Sequence, residues 1–217
     1  QRLVETVERG FRAIKLGWRP FGRISRKFDE LLVRTARDTV GSDVELMVDA
    51  GGSEQFWPHG LNWARETARM LADYDIVWFE EPLPPDDMDG YIELTRVSPV
   101  PIAGGEHEFT AAGFREIVDR RLHAVLQPDV CWVGGLTELL KIYDMAAQAG
   151  LRVCPHRGSE IWALHAIAAV DPQPLAESPR EWFNVLEGAP SIQNGTIQLG
   201  AAPGFGIQVA PDIWASD

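Results

Sequence analysis

The run VELMVDA at residues 44–50, the run LNWARETARMLADY at 61–74 and the run DIVWFEEP at 75–82 together decide the fold. The first and last runs are short and apolar, and VELMVDA is typical of a strand buried on both faces of a parallel sheet. The middle run repeats apolar residues at three- and four-residue spacing, which predicts a helix. Strand, helix and strand in this order predict one βα repeat of a parallel sheet.

The same unit recurs along the chain at similar intervals. Polar residues at the ends of five predicted strands are spaced 31, 26, 23 and 27 residues apart: Asp49, Glu80, Glu106, Asp129 and His156. Each interval accommodates one strand, one helix and two short loops. Seven such units, the last beginning with PLAES at 174–178, favour a TIM-type (β/α) barrel. An open doubly wound sheet is the alternative, but no glycine-rich dinucleotide fingerprint follows the first strand.

The predicted barrel is one strand short. A complete barrel has eight strands and about 250 residues, whereas this chain has 217 residues. We therefore expect a barrel domain over 1–200 that is incomplete at its N-terminus, followed by a C-terminal segment over 201–217. On this interpretation the chain is a piece of a longer protein.

Composition excludes several classes of protein. The chain has 20 Lys and Arg against 32 Asp and Glu, and this net charge of −12 disfavours binding to nucleic acid. No apolar run approaches the roughly 20 residues that span a bilayer, so no membrane partner is expected. Cys131 and Cys154 are too few for a disulfide framework, which favours a cytoplasmic enzyme.

Acidic residues at the ends of three successive predicted strands suggest a metal site. Asp49, Glu80 and Glu106 would converge on the face of a barrel where active sites are built, and they would repel one another without a cation. Oxygen ligands in this number suit Mg²⁺. A lone acid at such a place is equally typical of a helix N-cap, so the prediction depends on the repetition.

Five motifs in this order resemble the enolase superfamily: VDAGG, WFEEPLPP, GGEHEFT, LQPDVCWVGGLTE and CPHRGSE. The resemblance covers essentially the whole chain and is greatest to the mandelate racemase-like subgroup, in particular to sugar-acid dehydratases of the rhamnonate type. It implies a modified (β/α)7β barrel preceded by an α+β capping domain, with that domain and the first barrel strand absent here. The segment over 201–217 would return toward the cap, and relatives of this kind are commonly homo-oligomers.

The resemblance also implies roles for individual residues. The three strand-end acids correspond to magnesium ligands. His156 and Asp129 correspond to a catalytic dyad, in which the carboxylate orients the imidazole and raises its basicity. Lys15 corresponds to the first lysine of a KxK motif, whose charge faces the carboxylate of the substrate.

Three further residues are predicted to contact the substrate. Glu177 corresponds to a residue that contacts the substrate carboxylate or an oxygen of the enediolate. His107, directly after Glu106, either contacts a substrate hydroxyl or packs along the strand, and Trp18 either lines the pocket or packs in the core. Arg157 is a secondary candidate for substrate binding because it follows His156.

One departure from the family pattern bears on the reaction. Gly17 stands where the second lysine of KxK would be, so only the His156 side of the site has a base. This favours a magnesium-dependent dehydratase that converts a small sugar acid to a 2-keto-3-deoxy acid. A racemase or epimerase on the same scaffold and a non-catalytic metal-binding barrel are the alternatives.

Overall fold

The computed structural model describes residues 1–18, 20–51, 59–158, 160–177 and 186–211. In this part of the chain, six parallel strands form one sheet in sequence order, each hydrogen-bonded to the next. They are β1 (Ala13–Gly17), β2 (Glu45–Asp49), β3 (Ile76–Glu80), β4 (Ile102–Gly104), β5 (Val125–Leu126) and β6 (Arg152–Val153). This confirms the predicted α/β fold, as part of a TIM-type barrel.

Helices precede β1, separate the strands and follow β6. They are α1 (Arg2–Glu8), α2 (Arg26–Val40), α3 (Leu61–Ala72), α4 (Met88–Val97), α5 (Thr110–Arg120), α6 (Leu136–Ala149) and α7 (Ile161–Val170). Sequence signals define several of their ends: the Ser25 hydroxyl accepts a hydrogen bond from the Phe28 N–H at the start of α2. Gly150, with φ +69°, ends α6. Over the described ranges, no helix combines the length and apolar character needed to cross a membrane.

Side chains alternate along the strands and form two buried clusters. A large cluster packs between the sheet and the surrounding helices. A smaller cluster occupies the inner face, at successive positions around the sheet: Met47, Trp78, Ala103, Val125 and Cys154. Lys15 on β1 also contacts Glu177, which follows β6 at the other edge of the sheet, so the sheet is curved as in a barrel wall. This curvature brings the carboxyl ends of the strands together at one end.

The predicted strand over 174–178 is not part of the sheet. Residues 174–177 form no strand pairing in the structure, and Ser178 lies outside the described residues. Leu175 nevertheless packs against the inner cluster, and its carbonyl oxygen lies 3.7 Å from the Sγ of Cys154. Residues 174–177 therefore follow the inner wall without the ladder hydrogen bonds of a strand, and over the described residues the sheet has six strands instead of the expected seven.

The C-terminal part contains two short antiparallel pairs. β7 (Leu186–Glu187) pairs with β10 (Gln208–Val209), and β8 (Ser191–Gln193) pairs with β9 (Thr196–Gln198). Asn194 and Gly195 connect β8 to β9 with φ values of +50° and +71°, as a two-residue type I′ hairpin turn requires. The proposed domain boundary at residue 200 stays a prediction.

A buried histidine makes the stability of this fold depend on pH. His123 is 6% exposed and packs edge-on against Tyr91, with ring centroids 4.6 Å apart. Burial lowers the pKa of His123 from 6.5 to about 4. Between these two pH values the unfolded chain binds a proton that the folded chain does not, so stability falls as the pH decreases from 6.5 to 4.

We expect this histidine to cost about 3 kcal/mol of unfolding free energy over that pH range. Urea unfolding at pH 7, 6, 5 and 4 measures the effect in the wild-type chain and in a His123→Phe variant. The variant keeps an aromatic ring against Tyr91 but cannot titrate, so the difference between the two curves isolates the histidine. A difference that is constant with pH would contradict the assignment.

Candidate active site

Lys15 lies on β1 among three carboxylates. Its Nζ donates hydrogen bonds to Glu80 Oε1 and Glu177 Oε1, each at 2.5 Å, and it lies 3.6 Å from Asp49 Oδ2. Burial acts to lower the pKa of the ammonium group, but the three carboxylates raise it well above its ordinary value of 10.5. The site therefore contains a fixed positive charge at Lys15, and its role in facing an anionic substrate stays a prediction.

The predicted metal ligands lie at the carboxyl ends of β2 and β3 and just beyond β4. Burial and the charge of Glu80 raise the pKa of Asp49 well above its usual range, with Lys15 opposing the shift. Burial also raises the pKa of Glu106, while the nearby His156 opposes the shift. Burial is the largest cause of both shifts, so negative charge on these carboxylates is costly at this place. A hard divalent cation, bound by carboxylate oxygens, would balance it.

The contact between Trp78 and Glu80 was not predicted from the sequence. Its Nε1 donates a hydrogen bond to Glu80 Oε2 at 3.0 Å, so both oxygens of Glu80 have protein partners. The signal was present in DIVWFEEP, because residues two apart on a strand point to the same face. Trp78 thus orients a carboxylate that is almost fully buried.

A second group of potential ligands lies beside the predicted one. Ligand atoms of Glu81, Glu106 and His107 all lie within 4.8 Å of one another. His107 Nδ1 is 3.1 Å from Glu81 Oε1 and 3.7 Å from Glu106 Oε1. Burial raises the pKa of Glu81 to about 7. This group shares only Glu106 with the predicted ligands, so the roles of Asp49 and Glu80 stay predictions.

His156 and Asp129 form the expected pair. His156 Nδ1 lies 2.9 Å from Asp129 Oδ2, while Nε2 lies 3.4 Å from Glu106 Oε2. Asp129 Oδ1 also accepts hydrogen bonds from the backbone N–H groups of Cys131 at 2.8 Å and Trp132 at 3.3 Å. With Asp129 accepting from Nδ1–H, the basic atom of the imidazole is Nε2, which faces the acidic cluster.

The two pKa shifts of this pair agree with that arrangement. Burial acts to lower the pKa of His156, but the hydrogen bond to Asp129 and the charge of Glu106 outweigh it and raise the pKa above 6.5. Burial acts to raise the pKa of Asp129, but the hydrogen bonds from His156 and from the backbone N–H groups of Cys131 and Trp132, together with the charge of His156, lower it overall. Each partner thus stabilises the charged form of the other, which makes His156 a stronger base.

Glu177 joins the two edges of the curved sheet. One oxygen accepts from Lys15, and the other accepts from the backbone N–H of Arg157 at 2.6 Å. Burial acts to raise the pKa of Glu177, but the charges of Lys15 and His156 lower it overall. Arg157 also lies close to the dyad, with its Nη1 3.9 Å from Asp129 Oδ2. Arg157 therefore lies close enough to the dyad to remain a secondary candidate for substrate binding, and this role stays a prediction.

Gly17 and Trp18 lie at the end of β1, beside β2. The backbone N–H of Trp18 donates to the carbonyl oxygen of Asp49 at 2.5 Å, and the Trp18 residue is 55% exposed. Its role as a substrate contact stays a prediction. Gly17 has φ +118°, and a Cβ built at this position would overlap the carbonyl oxygen of Asp49. Hence this backbone cannot accommodate a lysine at position 17.

We expect Gly17→Ala to destabilise the chain by about 3 kcal/mol or more, because strain at positive φ adds to steric overlap. Gly150→Ala is the matched control: Gly150 has φ +69° and ψ +29°, in the left-handed helical region, and a Cβ added there would have no atom within 4 Å, so strain alone should cost about 1 kcal/mol. Urea unfolding of the two variants measures both values. Equal losses of unfolding free energy in the two variants would show that Gly17 does not lie in close contact with the carbonyl oxygen of Asp49.

Comparisons with known proteins agree with the geometry. The family description "Enolase C-terminal domain-like" matches residues 1–213. L-Rhamnonate dehydratase of Saccharopolyspora erythraea is 34% identical over 193 residues, which cover 83% of this chain and 48% of that protein. The chain spans about half the length of the curated relatives it matches.

Solved structures share this fold over nearly the whole chain. L-Talarate dehydratase from Polaromonas sp. JS666, in complex with Mg and L-glucarate, has a TM-score of 0.84 and 30% identity, covering 97% of this chain and 56% of that one. A racemase from Streptomyces coelicolor A3(2) with bound magnesium has a TM-score of 0.84 and 29% identity, covering 96% of this chain and 55% of that one. Given the family match over 213 of its 217 residues, the chain belongs to the enolase C-terminal domain-like family.

Proposed function

We propose that the protein containing this barrel is a magnesium-dependent dehydratase of sugar acids that forms 2-keto-3-deoxy acids. The observation that carries the proposal is the His156–Asp129 pair at 2.9 Å, with Nε2 directed to the acidic cluster. Lys15 holds a positive charge among the same carboxylates. A base and a fixed positive charge are the two elements needed to remove a proton next to a carboxylate.

In this mechanism His156 serves first as base and then as acid. Its Nε2 takes the proton from the carbon next to the substrate carboxylate, while Asp129 stabilises the imidazolium that forms. The protonated imidazole then gives this proton to the hydroxyl on the neighbouring carbon, which leaves as water. The resulting enol rearranges to the 2-keto-3-deoxy acid. Lys15 stabilises the negative charge that develops on the carboxylate during the first step.

The residues proposed to hold magnesium are Asp49, Glu80 and Glu106. Their oxygen donors and the raised pKa values of Asp49 and Glu106 support this set. When bound, the ion would supply further stabilisation of negative charge on the substrate oxygens. Glu81 and His107, the neighbours of two of these acids, are the competing ligands.

Racemisation is the less favoured reaction for this site. Exchange of a proton between two faces requires a base on each face, and the place of the second lysine is taken by Gly17, where a Cβ would overlap Asp49. Dehydration with His156 alone needs no second base. A non-catalytic barrel would have no need for the pairing of Asp129 with His156.

The proposal is tested by proton NMR on the full-length protein in deuterated buffer with Mg²⁺ and a panel of sugar acids. Loss of the C2 proton signal together with new signals from a 3-deoxy methylene group would support dehydration. Exchange at C2 without those signals would instead indicate racemisation or epimerisation. If no acid reacts while the protein binds Mg²⁺, the barrel is non-catalytic toward this substrate class and the proposal is wrong.

We further infer that the protein is a cytoplasmic homo-oligomer with a small-molecule substrate as its main partner. Cys131 and Cys154 are free thiols, which suits a reducing compartment. The oligomeric state follows from the family resemblance alone. Light scattering of the purified full-length protein would measure it directly.

A further inference from the structure

Both carboxylate oxygens of Glu80 accept hydrogen bonds from protein donors. Oε1 accepts from Lys15 Nζ at 2.5 Å, and Oε2 accepts from Trp78 Nε1 at 3.0 Å. The Glu80 side chain is 1% exposed, and Trp78 is also almost fully buried. A proposed metal ligand is therefore held by two partners, of which one is neutral and the other is a cation.

Lys15 has partners both inside and outside the proposed set of metal ligands. Inside the set, its Nζ contacts Glu80 and lies 3.6 Å from Asp49 Oδ2. Outside the set, Nζ donates to Glu177 Oε1 at 2.5 Å. The other oxygen of Glu177 accepts from the backbone N–H of Arg157 at 2.6 Å, which fixes this carboxylate independently of Lys15. Consequently Lys15 can leave Glu80 and still keep an anionic partner at the site.

An ammonium group and a hard divalent cation are alternative occupants of this cluster, because both take carboxylate oxygens. Lys15 contacts two of the three proposed ligands, so an ion bound by the same oxygens would lie close to its positive charge. Like charges repel more strongly as their separation falls, and burial strengthens the repulsion because it lowers the effective dielectric constant. Lys15 and the ion therefore compete for Glu80.

The metal-free cluster needs a counter-ion because its carboxylates are shielded from water. The side chain of Glu80 is almost fully buried and that of Asp49 is 13% exposed, and an uncompensated buried charge is costly. Trp78 supplies a hydrogen bond to Glu80 but no charge, whereas Lys15 supplies both. In a metal-loaded cluster the ion would supply this charge, and Lys15 would no longer be needed at Glu80.

We propose that Lys15 is the internal counter-ion of the metal-free site and that binding of Mg²⁺ releases it from Glu80, with Glu177 keeping it at the site. This inference rests on the proposed function, because it takes Asp49 and Glu80 as magnesium ligands. In the metal-free site, carboxylates of the protein engage the charge of Lys15. After its release from Glu80, Lys15 is available to the carboxylate of a substrate, so loading of the ion prepares the site for an anion.

Calorimetric titration of the full-length protein with MgCl₂ alone tests the competition. We expect Lys15→Met to bind Mg²⁺ at least roughly tenfold more tightly than the wild type, because the repelling charge is gone. Lys15→Arg keeps that charge and should bind Mg²⁺ within a few-fold of the wild type. Lys141→Met is the matched control for net charge: Lys141 pairs with Glu138 at the surface, and its loss should leave the Mg²⁺ affinity nearly unchanged.

Crystal structures of the full-length wild type, grown with a chelator and with Mg²⁺, test the release directly. With Mg²⁺ bound, Lys15 Nζ should lie beyond hydrogen-bond distance of Glu80 Oε1 and within hydrogen-bond distance of Glu177. In the metal-free crystal, both contacts should be present. This comparison needs no variant, so it decides the question even where Lys15→Met does not fold.

The outcomes separate this inference from the proposed function. If Lys15→Met binds Mg²⁺ no more tightly than the wild type, or if Lys15 still contacts Glu80 in the loaded crystal, the inference is overturned while the proposed function stands. If Lys15 competes with Mg²⁺ as expected but no sugar acid turns over, dehydration is wrong and the inference is supported. Absence of Mg²⁺ binding in the wild type overturns both.

Discussion

Replacing His156 with Asn is expected to lower kcat for dehydration by about 10³-fold, since a positioned general base contributes factors of this size. Asn keeps a polar group near Asp129 but has no basic nitrogen to direct at the substrate. Exchange of the C2 proton with deuterated solvent should be lost to the same extent, because it depends on the same proton transfer. Binding of Mg²⁺, measured by calorimetry, should change little.

His165→Asn is the control for this variant. His165 lies on α7 with its Nδ1 3.0 Å from the carbonyl oxygen of Ile161, so it has a local structural contact and no part in the proposed reaction. This control should retain nearly all of the wild-type turnover. A His156→Asn protein that turned over within a few-fold of the wild type would show that another group removes the proton.

Replacing Lys15 with Met is expected to lower the unfolding free energy by about 3–5 kcal/mol in metal-free buffer. Met preserves most of the side-chain volume, but the change leaves buried carboxylates without their cation, and an uncompensated buried charge is costly. Glu80, with its side chain 1% exposed, carries most of this cost. Adding Glu80→Gln to the variant should recover part of the loss, since it removes one buried charge.

Lys141→Met provides the surface comparison. Lys141 also forms an ion pair at 2.5 Å, with Glu138, but its side chain is 59% exposed, so its loss should cost less than about 1 kcal/mol. Urea unfolding of the variants in the presence of a chelator measures these differences. If Lys15→Met and Lys141→Met were equally mild, the charge of Lys15 would not be holding the carboxylates together.

Most of the architecture could be predicted from the sequence because each βα unit is encoded locally. The helix predicted over 61–74 corresponds to α3 (Leu61–Ala72), and the apolar runs at 44–50 and 75–82 contain β2 and β3. The failure at residues 174–177 has a physical cause. A strand is defined by its hydrogen-bonded neighbour, and composition alone does not reveal whether PLAES finds one.

The candidate site, like the fold, could be predicted from the sequence only in part. Repetition of acids at strand ends predicted which residues meet, since the carboxyl ends of parallel strands converge in a barrel. It could not reveal that Trp78 donates a hydrogen bond to Glu80. Nor could it reveal that Glu81 and His107 form an alternative ligand group with Glu106, or that Phe109 stacks on Trp132. These contacts join residues from different units, or depend on side-chain directions.

By itself, the sequence determined the repeating βα architecture, the family, and the residue types gathered at one end of the sheet, because these depend on patterns within a single unit. The tertiary structure alone decided which carboxylates surround Lys15, which nitrogen of His156 faces them, and why position 17 excludes a side chain. Those properties depend on distances of a few ångströms between strands, and such distances are set by packing and backbone register across the whole sheet.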